Sequence, residues 1–207
     1  MQGISYKHFT IIQRANRYCC RQRFISQLKS GVYALIGESM KLILIRHAAA
    51  IIRDKNRYLT IEGRAFFRKT AHTMLKNGTD PNLIITNSSL RSVQTADILA
   101  EELTFIGPLM VMNELNAGLD MQALRKILHD FQPLQELVVV GKEPDLSGLT
   151  ASLLSLPGGF DFKRGSAVNM KINPFDLQEP AVFKWMAVGK RLITSRKEAF
   201  TPYSLPG

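Results

Sequence analysis

Cysteine is nearly absent: the 207 residues hold two, Cys19 and Cys20, side by side. Adjacent cysteines rarely bond to each other, because disulfide geometry is strained there. No disulfide framework and no zinc-ligand spacing can be built from this pair, and a reducing compartment such as the cytoplasm is the simplest expectation. No run of ~18 apolar residues occurs, so no membrane-spanning helix is expected. A basic segment followed by an apolar stretch and a small-residue cleavage site is also lacking, which argues against secretion. There is no internal repeat, no low-complexity tract and no aspartate cluster suited to a metal ion. No cofactor is expected.

Acidic residues are scarce at the start of the chain. Residues 1–39 contain six Lys/Arg and a single acid, Glu38, out of a whole-chain charge of +10. The segment lacks alternation, and its Arg14, Arg17, Arg21 and Arg23 lie among Ile11, Ile12, Phe24 and Ile25. A targeting peptide, a helical arm on a membrane or partner, and a poorly ordered non-catalytic extension all fit; the last is the expectation. Met40 directly precedes the first strand-like run. The division expected is therefore an extension over 1–39 and one domain over 40–207. No basic run with interleaved aromatics stands out in that domain, so neither nucleic acid nor a membrane is an expected partner; its charge suits anionic substrates.

From Met40 onward the pattern is regular. Short apolar runs predict strands at 41–46 (KLILIR), 83–86 (LIIT), 109–112, 137–140 (LVVV), 167–172 and 181–187. Between them, helices are predicted from a cap at Thr60 to Lys76, from Ser88 or Ser89 to Leu103, from Asp120 to Asp130 and from Asp145 to Leu154. Alternating strands and helices predict a three-layer α/β/α fold. Its central sheet is expected to have about six mostly parallel strands, with the last two, unlinked by a helix, forming an antiparallel edge.

Ligands in such sheets sit beyond the carboxyl ends of the strands. The first strand ends in Arg46-His47, the second leads to Ser88-Ser89-Leu90-Arg91, and the fourth ends in Gly141-Lys142. If these strands are neighbours, one imidazole and three cations converge. Arginine matches the oxygens of a phosphoryl group with paired donors. A neutral imidazole can accept that group, and nearby cations oppose its protonation. Ser88, Ser89, Gln94 and Thr95 read as scaffolding at a helix start, whose N–H groups suit an anion.

Four segments together resemble the histidine phosphatase superfamily, whose fold is phosphoglycerate mutase-like. LILIRHAAA resembles its strand running into Arg-His-Gly, with Ala48 in the glycine place. LTIEGRAFFRKTA, SSLRSVQTADILAEEL and VVVGKEPDLSGL resemble its Leu-Thr-x-x-Gly-Arg, Arg-x-x-Gln-Thr-Ala and Gly-His-x-Pro segments, in the same order. Within the superfamily the chain is most similar to the short SixA-type phosphohistidine phosphatases. That resemblance implies hydrolysis of phosphohistidine through a phosphohistidine intermediate, with His47 as nucleophile and Arg46 and Arg91 clamping the phosphate. The partner implied is a phosphohistidine-containing phosphotransfer protein, or else a small phosphorylated substrate.

One position departs from the pattern: the second family histidine is Lys142 here. By motif, His8, His72 and His129 do not replace it. Lys142 is expected either to hold phosphate and support reduced turnover, or to mark a phosphate-binding relative without turnover. Glu114 lies near where larger relatives place a general acid, but reads more readily as a surface glutamate before a helix. Three functions stay open: a phosphohistidine phosphatase, a non-catalytic phosphate binder, and a small-molecule phosphatase or mutase of the same fold.

Overall fold

The computed structural model describes residues 39–51, 57–157 and 160–200. His8, Cys19, Cys20 and all of the expected extension except Ser39 lie outside these residues, as does the 201–207 tail.

The first strand, β1 (Met40–Arg46), sends alternate side chains to opposite faces, as the two-residue period of a strand requires. Leu42 and Leu44 enter one core, and Ile43 and Ile45 enter the other; all four are fully buried. This is why the run is apolar at both parities: it is covered on both sides. Burying each such side chain contributes about 1.5–3 kcal/mol. Lys41 alone breaks the run, and its ammonium reaches the buried Glu136 carboxylate at 3.0 Å.

Helix α1 (Ile61–Lys76) starts at Thr60, whose hydroxyl accepts from the Gly63 N–H at 2.9 Å. Phe67, Ala71 and Met74 form its buried stripe at helical spacing. It ends at Asn77, where Gly78 takes φ +73°, a left-handed value that suits glycine at a helix end. Strand β2 (Leu83–Thr86) leads to α2 (Leu90–Glu102), and β3 (Leu109–Val111) leads to a short 3-10 helix, Asn113–Asn116. Helix α3 (Met121–Asp130) is capped by Asp120, which accepts from Ala123 N–H at 2.8 Å. Strand β4 (Glu136–Gly141) leads to α4 (Asp145–Leu154). The chain closes with β5 (Ser166–Ile172), β6 (Val182–Val188), β7 (Arg191–Ile193) and α5 (Arg196–Phe200).

Two expected caps differ. Ser89 occupies the capping position of α2, but its hydroxyl turns to Asn87 Oδ1 (2.6 Å) and Ser92 Oγ (2.9 Å). Asp145 is the first residue of α4 and not its cap: Pro144, with a φ of −84° and ψ of 0°, already has helical geometry, so the chain turns one residue earlier.

The strands form one sheet in the order β3-β2-β4-β1-β5-β6-β7. β3, β2, β4 and β1 run parallel, while β5, β6 and β7 run antiparallel to their neighbours. The antiparallel part is thus larger than an edge, and there are seven strands where about six were expected. The seventh is a three-residue hairpin return through Gly189, too short to show a period.

Helices α1 and α2 cover one face of the sheet, with Phe67, Met74, Ala96 and Leu99 in that core. Helices α3 and α4 cover the other face with Leu124, Leu128, Leu146 and Leu153. The helices that follow adjacent strands β1 and β4 therefore leave to opposite faces. This opens a crevice at the carboxyl ends of those two strands, the place where open α/β sheets bind ligands.

Candidate functional site

His47 stands in that crevice. Its N–H donates to the Gly141 carbonyl at 3.1 Å, which extends the β1–β4 pairing by one residue and sets Lys142 beside it in the chain. The next residue is held from the other side: Ala48 N–H donates to Thr95 Oγ1 at 3.1 Å, and that hydroxyl donates to the Arg91 carbonyl at 2.7 Å. The Gln-Thr pair on α2 is thus scaffolding, as expected. Gln94 Oε1 completes it by accepting from Leu59 N–H at 2.9 Å. Ala49 contributes its carbonyl to Thr60 N–H at 3.0 Å, tying the same segment to the start of α1.

The imidazole is 6 % exposed, and its Nδ1 lies 2.8 Å from the Ala48 carbonyl. A carbonyl only accepts, so Nδ1 carries the proton and Nε2 keeps its lone pair. Burial is the largest influence on the ring and pushes its pKa from 6.5 down to about 4; the Ala48 hydrogen bond opposes this, and the charges of Arg91, Arg46 and Arg164 add to it. The cations expected to keep His47 neutral do so, but desolvation does more.

Two of those arginines hold unpaired donors. Arg46 directs Nη1 to the Phe162 carbonyl, while its buried Nε has no partner. Arg91, in the first turn of α2, also buries an Nε without a partner. Buried N–H groups are normally satisfied, so two orphaned guanidinium donors near one imidazole suit an incoming anion. Burial, followed by the charges of Arg57, Arg164 and Arg46, lowers the pKa of Arg91, though arginine stays protonated throughout the physiological range.

The remaining expected residues are placed differently. Lys142 is half-buried, and its ammonium donates to the Asn116 carbonyl at 2.9 Å. Glu114 is exposed in the same 3-10 helix. Asn116 also binds Ser88: its Oδ1 accepts from Ser88 N–H at 3.2 Å, and its Nδ2 donates to Ser88 Oγ at 2.8 Å. His72 on α1 and His129 on α3 are both exposed. Among the described residues, no three His, Cys, Asp or Glu side chains gather where they could hold a metal. Nor is any helix among them long and apolar enough to cross a membrane.

Sequence reasoning missed Arg57, Arg164 and Asn116. All three are in loops or a short turn, where no periodicity marks a residue. The nearest signals were Arg57 two residues before the Leu59-Thr60 motif and the Lys163-Arg164-Gly165 turn ahead of β5.

A pH dependence of stability follows from His47. Its folded pKa lies below the unfolded value, so the unfolded chain binds more protons between about pH 6.5 and 4. This contribution to stability is intact above pH 6.5 and is lost as the pH falls through that window, to a total of about 3 kcal/mol. Urea unfolding from pH 7 to 4 is expected to show a steeper decline for the native chain than for His47→Gln. Parallel pH profiles would contradict it.

No protein-family model matches this sequence, and neither does any curated protein. Solved structures do match. The protein histidine phosphatase SixA complexed with tungstate is 18 % identical with a TM-score of 0.61, over 72 % of this chain and 97 % of that one. A protein assigned as a phosphohistidine phosphatase SixA, from Nakamurella multipartitia, is 21 % identical with a TM-score of 0.61, over 74 % of this chain and 98 % of that one. The alpha-ribazole phosphatase from Shigella flexneri is 18 % identical with a TM-score of 0.51, over 76 % of this chain and 97 % of that one. At such identities the likeness is one of fold: the chain has the same phosphoglycerate mutase-like α/β fold as these solved phosphatases.

Proposed function

We propose that this protein is a metal-independent, cytoplasmic phosphohydrolase that removes the phosphoryl group from phosphohistidine on another protein, by way of a phospho-His47 intermediate. The observation that carries the reading is the paired arrangement of His47 and its arginines. Nδ1 is committed to the Ala48 carbonyl, Nε2 is left as the nucleophile, and the orphaned Nε donors of Arg46 and Arg91 are available for phosphoryl oxygens.

In the first step, Nε2 of His47 forms a bond to phosphorus as the bond from phosphorus to the substrate nitrogen breaks, and the departing imidazole takes a proton from solvent water. In the second step, water attacks phosphorus, the bond to Nε2 breaks and returns the lone pair to that nitrogen, and phosphate leaves with the water's protons, one of which passes to solvent. Such transfer depends on positioning and charge neutralisation, which fixed arginines supply. Glu114 is exposed and makes no side-chain hydrogen bond or ion pair among the described residues that would aim it as an acid. Imidazole is a good leaving group once protonated, so a site without a committed acid suits a P–N bond better than a phosphate ester. The better structural agreement with SixA than with the alpha-ribazole phosphatase points the same way.

A second reading is a phosphate-binding protein without turnover. What favours it is the engagement of Lys142 with the Asn116 carbonyl, which takes up one of the ammonium's three donors where the family has a directed imidazole. A phosphohistidine-bearing carrier protein, incubated without metal, separates the two: steady phosphate release supports the enzyme, and phosphate binding without release supports the binder. Lys142→His is expected to raise turnover, because an imidazole there would offer a directed donor that the flexible lysine does not. Unchanged single-turnover transfer in that variant would show that position 142 does not limit the site.

A further inference from the structure

We propose that Arg164, on the β5 side of His47, and not Lys142 on its β4 side, is the third cation that contacts the phosphoryl group, a catalytic residue. This rests on the phosphatase reading above and adds a residue to it.

The turn that carries Arg164 is anchored to the nucleophile's own backbone. Ser166 N–H donates to the Lys163 carbonyl at 3.0 Å, closing a four-residue turn with Arg164 at its first corner. Gly165, the second corner, has φ +72°, as a glycine permits. Its N–H is shared between the Arg46 and His47 carbonyls, at 3.1 Å each. Its own carbonyl accepts from the Thr70 hydroxyl at 2.8 Å. A Cβ on Gly165 would stand 3.2 Å from the Phe66 ring and 3.7 Å from the Ala48 Cα, so the turn lies directly against the His47 segment. Arg164 is therefore presented from a fixed frame, one residue away from a hydrogen bond to the nucleophile's carbonyl.

Its side chain is exposed, and no hydrogen bond or ion pair among the described residues holds its guanidinium. Its charge nonetheless bears on both His47 and Arg91, so it is close to the centre of the site. Lys142 is the reverse case: it is adjacent in strand register, but its ammonium is bound to the Asn116 carbonyl. A guanidinium free to turn onto equatorial phosphoryl oxygens would add to Arg46 and Arg91 in neutralising the charge that spreads over them during transfer.

The test compares Arg164→Gln, Arg164→Lys and Lys142→Gln with the native chain, using phosphoramidate as donor and inorganic phosphate as ligand. Arg164 is exposed on its turn, so its variants are expected to unfold at the native temperature. Arg164→Gln should lower kcat/KM by more than ~10-fold, because the charge that would be drawn onto the phosphoryl oxygens during transfer is gone. Arg164→Lys should recover part of that loss, and Lys142→Gln should cost less, about fivefold at most, because the Lys142 ammonium is already engaged by the Asn116 carbonyl. Equal losses at the two positions, or a larger loss at Lys142, would overturn the assignment while leaving the phosphatase reading intact. A native chain that neither releases nor binds phosphate would defeat both.

Discussion

His47→Ala is expected to abolish phosphate release, with a loss on the order of 10⁶-fold in kcat, as for removal of a nucleophile that acts as part of a unit. The size of the effect comes from geometry. Among the described residues, His72 and His129 are exposed on outer helices and cannot substitute. The Nδ1 contact with Ala48 presents one ring nitrogen to the crevice, and burial keeps that nitrogen unprotonated down to about pH 4. An alanine leaves Arg46 and Arg91 in place, so inorganic phosphate should still bind, measured by titration calorimetry. Native-like release from the folded variant would remove His47 from the mechanism. Loss of both release and phosphate binding would show that the ring also holds the arginines in position.

Gly63→Ala is expected to damage both stability and activity, although residue 63 touches no substrate. A Cβ at this position would lie 2.3 Å from the Ala49 carbonyl oxygen and 3.0 Å from the Thr60 hydroxyl. The first is a backbone atom, so it cannot rotate aside. That carbonyl already accepts the Thr60 N–H, and Thr60 caps α1 through the Gly63 N–H; one methyl group therefore strains the cap and the segment two residues beyond His47 together. Overpacking of this kind typically costs about 1–3 kcal/mol. Displacing a nucleophile by about 1 Å can cost ~100-fold in rate. Urea denaturation and phosphate release should fall together, whereas unchanged stability would mean that the Ala49 segment yields freely.

Much of this architecture was legible in the residues. The apolar run of β1 reads as a strand buried on both faces, and Thr60 and Asp120 cap the helices they were expected to cap. These signals are local: a strand period, a capping oxygen and a helical stripe each lie within a few residues. The elements that escaped are short, β7 with three residues and α5 with five, where no period can establish itself. Asp145 escaped for a different reason, since the backbone of the preceding proline decided where α4 begins.

The site divides along the same line. By itself the sequence singled out Arg46 and His47 at a strand end and Arg91 at a helix start as candidates for the site, because local motifs mark those positions. Only the tertiary structure decided what surrounds them. Insertion of β4 between β2 and β1 brings Gly141 to His47, and the register of β5 against β1 brings the Arg164 turn there as well. The packing around the 3-10 helix hands the Lys142 ammonium to Asn116. The strand placements depend on β1 pairing with β4 about 95 positions and with β5 about 122 to 132 positions along the chain, which no local pattern of side chains encodes.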